Sequence, residues 1–405
     1  MSASSRRLLG LLVFGVLAGG WLYAAHALWQ TSVPADLKLP QVDMKTLFGA
    51  GVLHDAQHFT LIADLFALCG LVLPLIVLAV YSKYGHRFMS ESAAGPIGTG
   101  MLLAMLGLAM VWISMAIPGL GQLWWYRKHG IVKTDYAEWV IGSWFGLIPV
   151  FEWICLTILI VMGFARLLGN RWWLAAAPVF AGLLTLVVFI APYQAALQPL
   201  EGHEQLLQAE ARIAKKEGVA KIPIRVENVG YATTAPNAYT YGLGPSRRIV
   251  LWDTILDGRF SEPQLEVVVA HELAHQKHNH LLKYIGWYAL FVFPIGFVIA
   301  RLTRRRGGMT VPLAVPLFLF LWIAIQTLVA PLDNAFSRRL EAEADWTALQ
   351  ATSDPQAADG LFKNLVIQTD SDPSPPIWDQ LLFGTHPTTA QRLAMVKAWQ
   401  QRNGG

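Results

Sequence analysis

Seven long apolar stretches constrain the fold of this chain more than any other feature of its 405-residue sequence. A helix needs about 20 mostly apolar residues to cross the roughly 30 Å hydrocarbon core of a bilayer. Hydrophobic residues make up 54% of the chain and charged residues only 14%, which is unlike a water-soluble domain. The sequence therefore predicts a mainly α-helical, polytopic membrane protein with seven transmembrane helices. The predicted spans are Leu8 to Trp29, Phe59 to Tyr81, Ile97 to Trp125, Trp139 to Leu168, Trp172 to Gln194, Leu281 to Leu302 and Thr310 to Leu332.

The first apolar stretch follows two arginines, as the apolar core of a secretory signal peptide also would. It continues through Trp21 to Trp29 with further aromatic residues, and it contains no clear small-residue cleavage site. We therefore predict a first span that is retained in the protein.

Charge and cysteine content argue against two other classes of protein. The net charge is +4, and no lysine-rich or arginine-rich run is interleaved with aromatic residues in the manner of a nucleic-acid surface. We therefore expect no nucleic-acid partner. The two cysteines, Cys69 and Cys155, each lie in an apolar stretch and lack the paired spacing of a redox or zinc motif.

Two polar segments interrupt or follow the apolar stretches. The first contains an amphipathic helix from Glu204 to Gly218 and two β-branched runs, Ile222 to Val229 and Arg248 to Trp252, which predict a small α+β domain. Turn-rich residues Thr233 to Pro245 separate the two runs. The second polar segment contains at least two helices, with the loop Asp370 to Pro376 between them. The predicted divisions are five transmembrane helices in 1–196, a soluble segment in 197–280, transmembrane helices six and seven in 281–335, and a C-terminal helical segment in 336–405.

Basic residues are divided unequally between alternate loops. Short cytoplasmic loops carry an excess of lysine and arginine, and both polar segments lie on the side with fewer of them. This count places the polar segments outside the cytoplasm. The richer side has Arg6, Arg7, Lys83, Arg87, Arg166, Arg171, Arg301, Arg304, Arg305 and Arg306, and the poorer side has Lys38, Lys45, Arg127, Lys128 and Lys133.

A His-Glu-x-x-His motif, His271 to His275, follows an apolar helical run in the first polar segment. Histidines four apart share one helix face and can present two imidazoles to a single Zn²⁺ ion, and Glu272 lies beside them. Zinc lowers the pKa of a bound water molecule towards about 7, and a neighbouring carboxylate can serve as general base. The motif predicts hydrolysis of peptide bonds, with Glu272 as the base. The alternative is a solvated helix with an incidental histidine pair.

A zinc site of this kind needs a third protein ligand, and Glu341 is the predicted one. Glu341 and Asp345 lie four apart on a helix straight after the last span, so Glu341 could bind zinc while Asp345 accepts the ring N–H of a ligating histidine. Glu343 points elsewhere on that helix and is expected to be solvated. His278 is an alternative third ligand, and we expect His280 to be an ordinary interfacial histidine at the start of the sixth span.

Two acidic residues, Asp64 and Glu152, lie within predicted spans, where an unpaired charge is costly. They predict either a water-filled cavity between the helices or positions close to the span ends.

Several blocks of sequence together resemble the CAAX prenyl protease type-1 family of integral membrane zinc metalloproteases, and bacterial-type members most closely. The blocks keep their order and spacing relative to the seven predicted spans. They are Asn237 to Gly242, Arg248 to Thr254, Val269 to His275 with Asn279 and His280, Asn334 with Ser337 to Arg339, Glu341 with Ala344 and Asp345, and Thr385 to Pro387 with Arg392 and Leu393.

The resemblance implies a helical barrel around a large aqueous chamber with the zinc site at one end. It implies that His386 stabilises the oxyanion, that Arg392 supports the catalytic helices, and that the backbone around Asn237, Ala238, Tyr239 and Tyr241 pairs with an extended substrate. The sequence departs from the family at Ala232 to Pro236, where a polar and basic stretch is usual. The best-known members hold the catalytic side in the cytosol, which is opposite to the charge count.

These observations predict a membrane-embedded zinc metalloendopeptidase with one Zn²⁺ per chain. Its expected partners are membrane lipids and a peptide or protein substrate that is lipid-modified or membrane-associated, and its expected location is the bacterial inner membrane. One alternative is a quality-control metalloprotease for damaged membrane proteins. Another, which would have lost a catalytic residue, is a non-catalytic membrane scaffold or transporter.

Overall fold

The computed structural model describes residues 3–89 and 91–403, so both ends of the predicted divisions, residues 1–2 and 404–405, lie outside the described residues. Within them the chain forms fourteen α-helices and four β-strands. The helices α1 to α14 are Ala3–Trp29, Met44–Phe48, Ala50–Tyr84, Gly95–Lys128, Tyr136–Phe145, Leu147–Leu168, Trp173–Gln194, Glu204–Glu217, Glu262–Lys277, His280–Thr303, Val315–Thr352, Pro355–Thr369, Ile377–Leu382 and Thr389–Asn403. The strands β1 to β4 are Gln198–Pro199, Ile224–Glu227, Ala238–Tyr241 and Arg248–Trp252.

Seven helical segments of the described chain are long and apolar enough to cross a membrane, as the sequence predicts. The chain is an integral, multi-pass membrane protein. Several of these segments extend well beyond the predicted spans, because the helices continue into the polar regions on either side. The seven are Leu11–Trp29, Ala50–Phe88, Gly95–Lys128, Tyr136–Arg171, Trp173–Gln194, His280–Arg306 and Pro312–Thr352.

Glycines on α4 allow its neighbours to approach closely. A Cβ atom at Gly107 would lie 2.7 Å from Leu319 on α11 and 2.9 Å from Tyr81 on α3, and one at Gly100 would lie 2.5 Å from Met162 on α6. Small residues have this role in membrane helix bundles, where van der Waals packing replaces the hydrophobic effect as the driving force. Helix α4 is thus packed tightly against α3, α6 and α11.

Helices α3, α4, α6, α7, α10 and α11 enclose a cavity of about 610 Å³ within the membrane half. Its lining is almost entirely apolar, with Trp153, Trp173 and Trp322 among the lining side chains. The family resemblance implied an aqueous interior, but the lining of this cavity is apolar. Asp64 does not line the cavity, and Glu152 is exposed on α6.

A four-stranded sheet in the order β1-β2-β4-β3 forms the centre of the soluble unit. Strands β2 and β4 are parallel, and the other pairs are antiparallel. Strand β3 lies at the edge of the sheet, within the segment that the sequence indicated as turns, so that interpretation was wrong for Ala238 to Tyr241. Ile249 and Leu251 of β4 belong to one buried core with α8 and α9, including Leu206 and Leu273.

Two segments that connect the long apolar helices contact the soluble unit. Met44 belongs to its buried core. Between α4 and α5, Lys133 N donates to Ala232 O at 2.7 Å, and Val132 forms a β-bridge with Thr233. On the opposite side, Arg306 donates to the carbonyl of Ser82. The soluble unit is therefore attached to the membrane bundle by loops as well as by α10 and α11.

Candidate metal centre

Helix α9 carries the His-Glu-x-x-His motif. Ser261 and Gln264 form a capping box at its start, with Ser261 N donating to Gln264 Oε1 at 3.1 Å, and Pro263 occupies a favourable first-turn position. The apolar run before His271 is buried, so α9 passes through the core and presents both motif histidines from one face.

Three side chains bring nitrogen and oxygen atoms together where the sequence predicts the metal. His271 Nε2 lies 3.0 Å from His275 Nε2 and 3.3 Å from Glu341 Oε2, and His275 Nε2 lies 3.5 Å from Glu341 Oε1. Two donors that each bind tetrahedral zinc at about 2.0 to 2.1 Å would lie about 3.4 Å apart. Glu341 Oε2 is buried without a hydrogen-bond partner. The chemistry and spacing of these donors therefore fit one tetrahedral cation.

Helix α11 supplies the carboxylates. It continues from the membrane into the soluble unit as a single helix and packs against α9. The two carboxylates predicted to act together, Glu341 and Asp345, face α9 one turn apart. Asp345 Oδ1 lies 2.9 Å from His271 Nδ1, as expected for a partner that fixes the tautomer of a ligating histidine.

His386 and Arg392 approach Glu341 and Asp345 from the C-terminal helices. His386 Nε2 lies 3.2 Å from Glu341 Oε2, while Arg392 lies 3.0 Å from Asp345 Oδ2 through Nε and 3.6 Å from Glu341 Oε2 through Nη2. The His386 ring is exposed and the Arg392 side chain is largely covered. The guanidinium thus neutralises a cluster of buried carboxylates, and the imidazole stands at its open side.

A further arginine, which belongs to one of the blocks of the family resemblance but was given no role there, holds the loop that carries His386. Arg338 donates to the carbonyl oxygens of Gln380 and Gly384, the latter at 2.5 Å. Arg338 stands three residues before Glu341, so the same helix that brings the ligand also anchors this loop.

The structure corrects the expectations for Glu343 and His280. Glu343 is 2% exposed and His280 is 1% exposed, so neither is a solvated or interfacial side chain. His280 lies between His275 and Glu343. Its Nδ1 is 2.8 Å from His275 Nδ1, and its Nε2 is 3.0 Å from Glu343 Oε2. Charge and spacing alone gave no signal for this contact, because His280 and His275 belong to different helices.

The alternative third ligand, His278, faces away from the cluster. Its Nε2 lies 2.9 Å from Thr347 Oγ1, and its Nδ1 lies 3.4 Å from Glu343 Oε1. Of the described residues, the group that could hold a metal ion is His271, His275 and Glu341.

Glu272 lies beside the donor cluster in a cavity of about 130 Å³, which Asn237, Ala238, His271 and His386 also line. Burial raises the pKa of Glu272 to about 7. A carboxyl group with a pKa near neutrality can both accept and release a proton at physiological pH. The position and the pKa of Glu272 therefore suit general acid–base chemistry.

Strand β3 presents an open edge next to this cavity. Antiparallel neighbours alternate between pairs that exchange hydrogen bonds and pairs that do not. Trp252 N donates to Asn237 O at 3.0 Å, and Ala238 and Thr240 lie opposite Leu251 and Ile249. Ala238 and Thr240 therefore direct their N–H and C=O groups away from β4.

The tyrosines of β3 have different neighbours from Asn237 and Ala238. Tyr239 Oη donates to Glu227 Oε2 at 2.9 Å, and the Tyr239 and Tyr241 rings lie 5.3 Å apart. Burial raises the pKa of Tyr241. These two side chains pack over the sheet, whereas Asn237 and Ala238 line the cavity that contains Glu272.

Comparisons with known proteins agree with this geometry. Residues 203–400 match the model of peptidase family M48. The metalloprotease YhfN of Bacillus subtilis (strain 168) is 28% identical over 423 residues, which cover 93% of this chain and 95% of that protein. A CAAX prenyl protease 1 homolog of Arabidopsis thaliana is 28% identical over 68% of this chain and 65% of its own. The crystal structure of S. mikatae Ste24p superimposes with a TM-score of 0.66 at 19% identity, over 94% of this chain and 96% of that one, which shows a shared fold.

Proposed function

We propose that the chain is a membrane zinc metalloendopeptidase of the CAAX protease type, related to peptidase family M48, with His271, His275 and Glu341 as zinc ligands. One observation carries the proposal. Donor atoms of these three side chains lie 3.0 to 3.5 Å apart, the spacing that a tetrahedral zinc ion requires.

Zinc would supply Lewis-acid polarisation and lower the pKa of a water molecule from 15.7 towards about 7. Glu272 then takes a proton from the attacking water and later delivers it to the leaving amine. Its burial supports both steps, because it holds the pKa of Glu272 at about 7.

His386 is proposed to donate to the oxyanion that develops at the scissile carbonyl. Its ring stands at the exposed side of the cluster, and its Nε2 lies 3.2 Å from Glu341 Oε2. Arg392 is proposed to hold Asp345 and Glu341 in place through its contacts at 3.0 and 3.6 Å. Such preorganised donors lower the barrier because they need no rearrangement during the reaction.

An extended substrate is proposed to add to the edge of β3. Ala238 and Thr240 would supply the backbone hydrogen bonds, while Asn237, Tyr239 and Tyr241 would contact substrate side chains. Strand addition at an exposed edge fixes the direction of a peptide through main-chain bonds and leaves specificity to neighbouring pockets.

The substrate is a peptide or protein, and we propose that it is lipid-modified or otherwise membrane-associated. Two features support this: the apolar cavity among the transmembrane helices, and the name of a relative, a CAAX prenyl protease 1 homolog. The seven candidate spans and the similarity to a Bacillus subtilis metalloprotease support a location in a bacterial membrane.

The proposal is tested by measuring zinc content and peptide cleavage for the detergent-purified protein and for Glu272→Gln. We expect one zinc per chain in both and a loss of roughly 10²- to 10⁴-fold in kcat for the variant, since an acid–base group is removed. Glu266→Gln on the same helix, where Glu266 pairs with Arg212 at the surface, is the matched control and should retain activity. Equal activity of Glu272→Gln and wild type would refute the mechanism.

A further inference from the structure

His280 and Glu343 lie behind the proposed metal site and have no part in the reaction described above. We propose that this pair is a positioning device that fixes the tautomer and ring orientation of His275 and thereby sets the affinity of the zinc site. The inference rests on the proposed function, because it requires His275 to be a ligand. Both side chains are buried, and neither contacts the cavity that contains Glu272.

The hydrogen-bond geometry determines where each proton lies. His275 directs Nε2 towards His271 and Glu341, so a bound cation would take the lone pair of that nitrogen and leave the proton on Nδ1. The Nδ1–H of His275 then donates to His280 Nδ1 at 2.8 Å. His280 must consequently carry its proton on Nε2, which lies 3.0 Å from Glu343 Oε2 and donates to it. Each bond has one donor and one acceptor.

Glu343 is held firmly enough to fix this arrangement. Its Oε2 accepts a hydrogen bond from Lys283 Nζ at 3.0 Å in addition to the one from His280. Its Oε1 accepts a hydrogen bond from the backbone N–H of Ser32 at 2.5 Å. Lys283 also donates to the carbonyl of Gln30. The chain that follows α1 therefore clamps the carboxylate, and Lys283 offsets the cost of burying its charge.

The backbone between α9 and α10 brings His280 back towards His275. Asn279 adopts φ 52° and ψ 40°, a left-handed conformation that asparagine tolerates better than most residues. Helix α9 ends at Lys277 and α10 begins at His280, so the turn redirects the chain within two residues. A residue five positions after His275 thus lies behind its ring.

Helix α11 provides the carboxylate ligand Glu341 and one supporting carboxylate for each of the two ligating histidines. Successive residues of a helix are rotated by about 100°, so Glu341 and Asp345 share a face while Glu343 points to the other side. Asp345 contacts His271 directly, and Glu343 reaches His275 through His280. Partners of this kind typically change metal affinity by about 10- to 100-fold when they are removed.

The test compares zinc dissociation constants, by competition with a chromophoric chelator, for wild type, His280→Leu, His280→Asn and Glu343→Gln. We expect His280→Leu to bind zinc about 10- to 100-fold more weakly. The amide oxygen of His280→Asn stands near the position of Nδ1 and should recover part of that loss. Glu343→Gln should weaken binding less than His280→Leu, because an acceptor for His280 remains. The absorption spectrum of the Co²⁺-substituted protein should change for His280→Leu.

His278→Leu is the matched control, because it removes a neighbouring histidine that touches Glu343 but not His275. Its zinc affinity should stay within about threefold of wild type, and thermal unfolding of the metal-free variants would identify any that fail to fold. The inference is overturned if His280→Leu binds zinc as tightly as wild type, if His278→Leu loses as much, or if His280→Asn recovers nothing. If wild type itself bound no zinc, the proposed function would fail instead.

Discussion

Asp345→Asn should weaken zinc binding while leaving all three proposed ligands in place. Asp345 accepts from His271 Nδ1 at 2.9 Å and contacts Arg392 Nε at 3.0 Å. The amide is neutral, so it loses the ion pair with Arg392, and its single oxygen must face His271 for a neutral hydrogen bond to remain. Hydrogen bonds to charged groups contribute about 1.5 to 3 kcal/mol, and a neutral bond about 0.5 to 1.5 kcal/mol.

The net loss is therefore about 1 to 1.5 kcal/mol, or roughly 5- to 13-fold in the zinc dissociation constant. Chelator competition on the detergent-purified protein measures it, and Asp359→Asn, at a half-exposed pair with Lys363, is the matched control. An affinity for zinc within threefold of wild type would refute the claim that Asp345 orients His271. A loss of similar size in Asp359→Asn would refute it as well.

Three further outcomes follow from other contacts. Phe336→Ala should lower the free energy of unfolding by about 3 to 5 kcal/mol, measured by thermal or denaturant unfolding, because Phe336 is fully buried and stacks on Trp287 at 4.3 Å; a change below about 1 kcal/mol would contradict this packing. Burial raises the pKa of Glu210, so its ionised form opposes folding as pH rises through that pKa, and Glu210→Gln should raise the unfolding temperature more at pH 8 than at pH 4; an equal change at both values would disprove it. Arg392→Lys should reduce kcat/KM about tenfold or more, since a lysine cannot contact Asp345 and Glu341 together; unchanged kinetics would mean that a single positive charge suffices.

The apolar stretches predicted the number of spans because crossing a bilayer imposes a length that few soluble helices share. They could not predict where the helices end, since α11 runs on from the membrane to Thr352 with no change in helical geometry. The residue pattern missed strand β3, although the family resemblance implied that this backbone pairs with a substrate. Four residues between glycine-rich and proline-rich turns carry almost no periodic signal, and the pairing of β3 with β4 depends on long-range contacts.

The proposed zinc ligands and their neighbours show the same difference between contacts within one helix and contacts between distant segments. Spacings of four within one helix predicted that His271 would face His275 and that Glu341 would face Asp345, and the structure brings all four side chains together. The contact between His275 and His280 depends on the left-handed turn at Asn279, which sequence periodicity does not encode. Glu343 looked solvated because its partners come from α10 and from the chain after α1, which are distant in sequence.

The length of helix α11 between Asp333 and Glu341 limits how far the proposed zinc ligand lies from the apolar part of the helix. Its first charged residue, Asp333, stands eight positions before Glu341, and a helix rises 1.5 Å per residue, so the ligand lies at most about 12 Å beyond that point. An extended peptide covers this distance with about four residues at roughly 3.3 Å each. A substrate held in the lipid therefore needs only a short tether to reach the scissile position. For the membrane-associated substrate proposed above, this helix length would limit cleavage to sites close to the membrane surface.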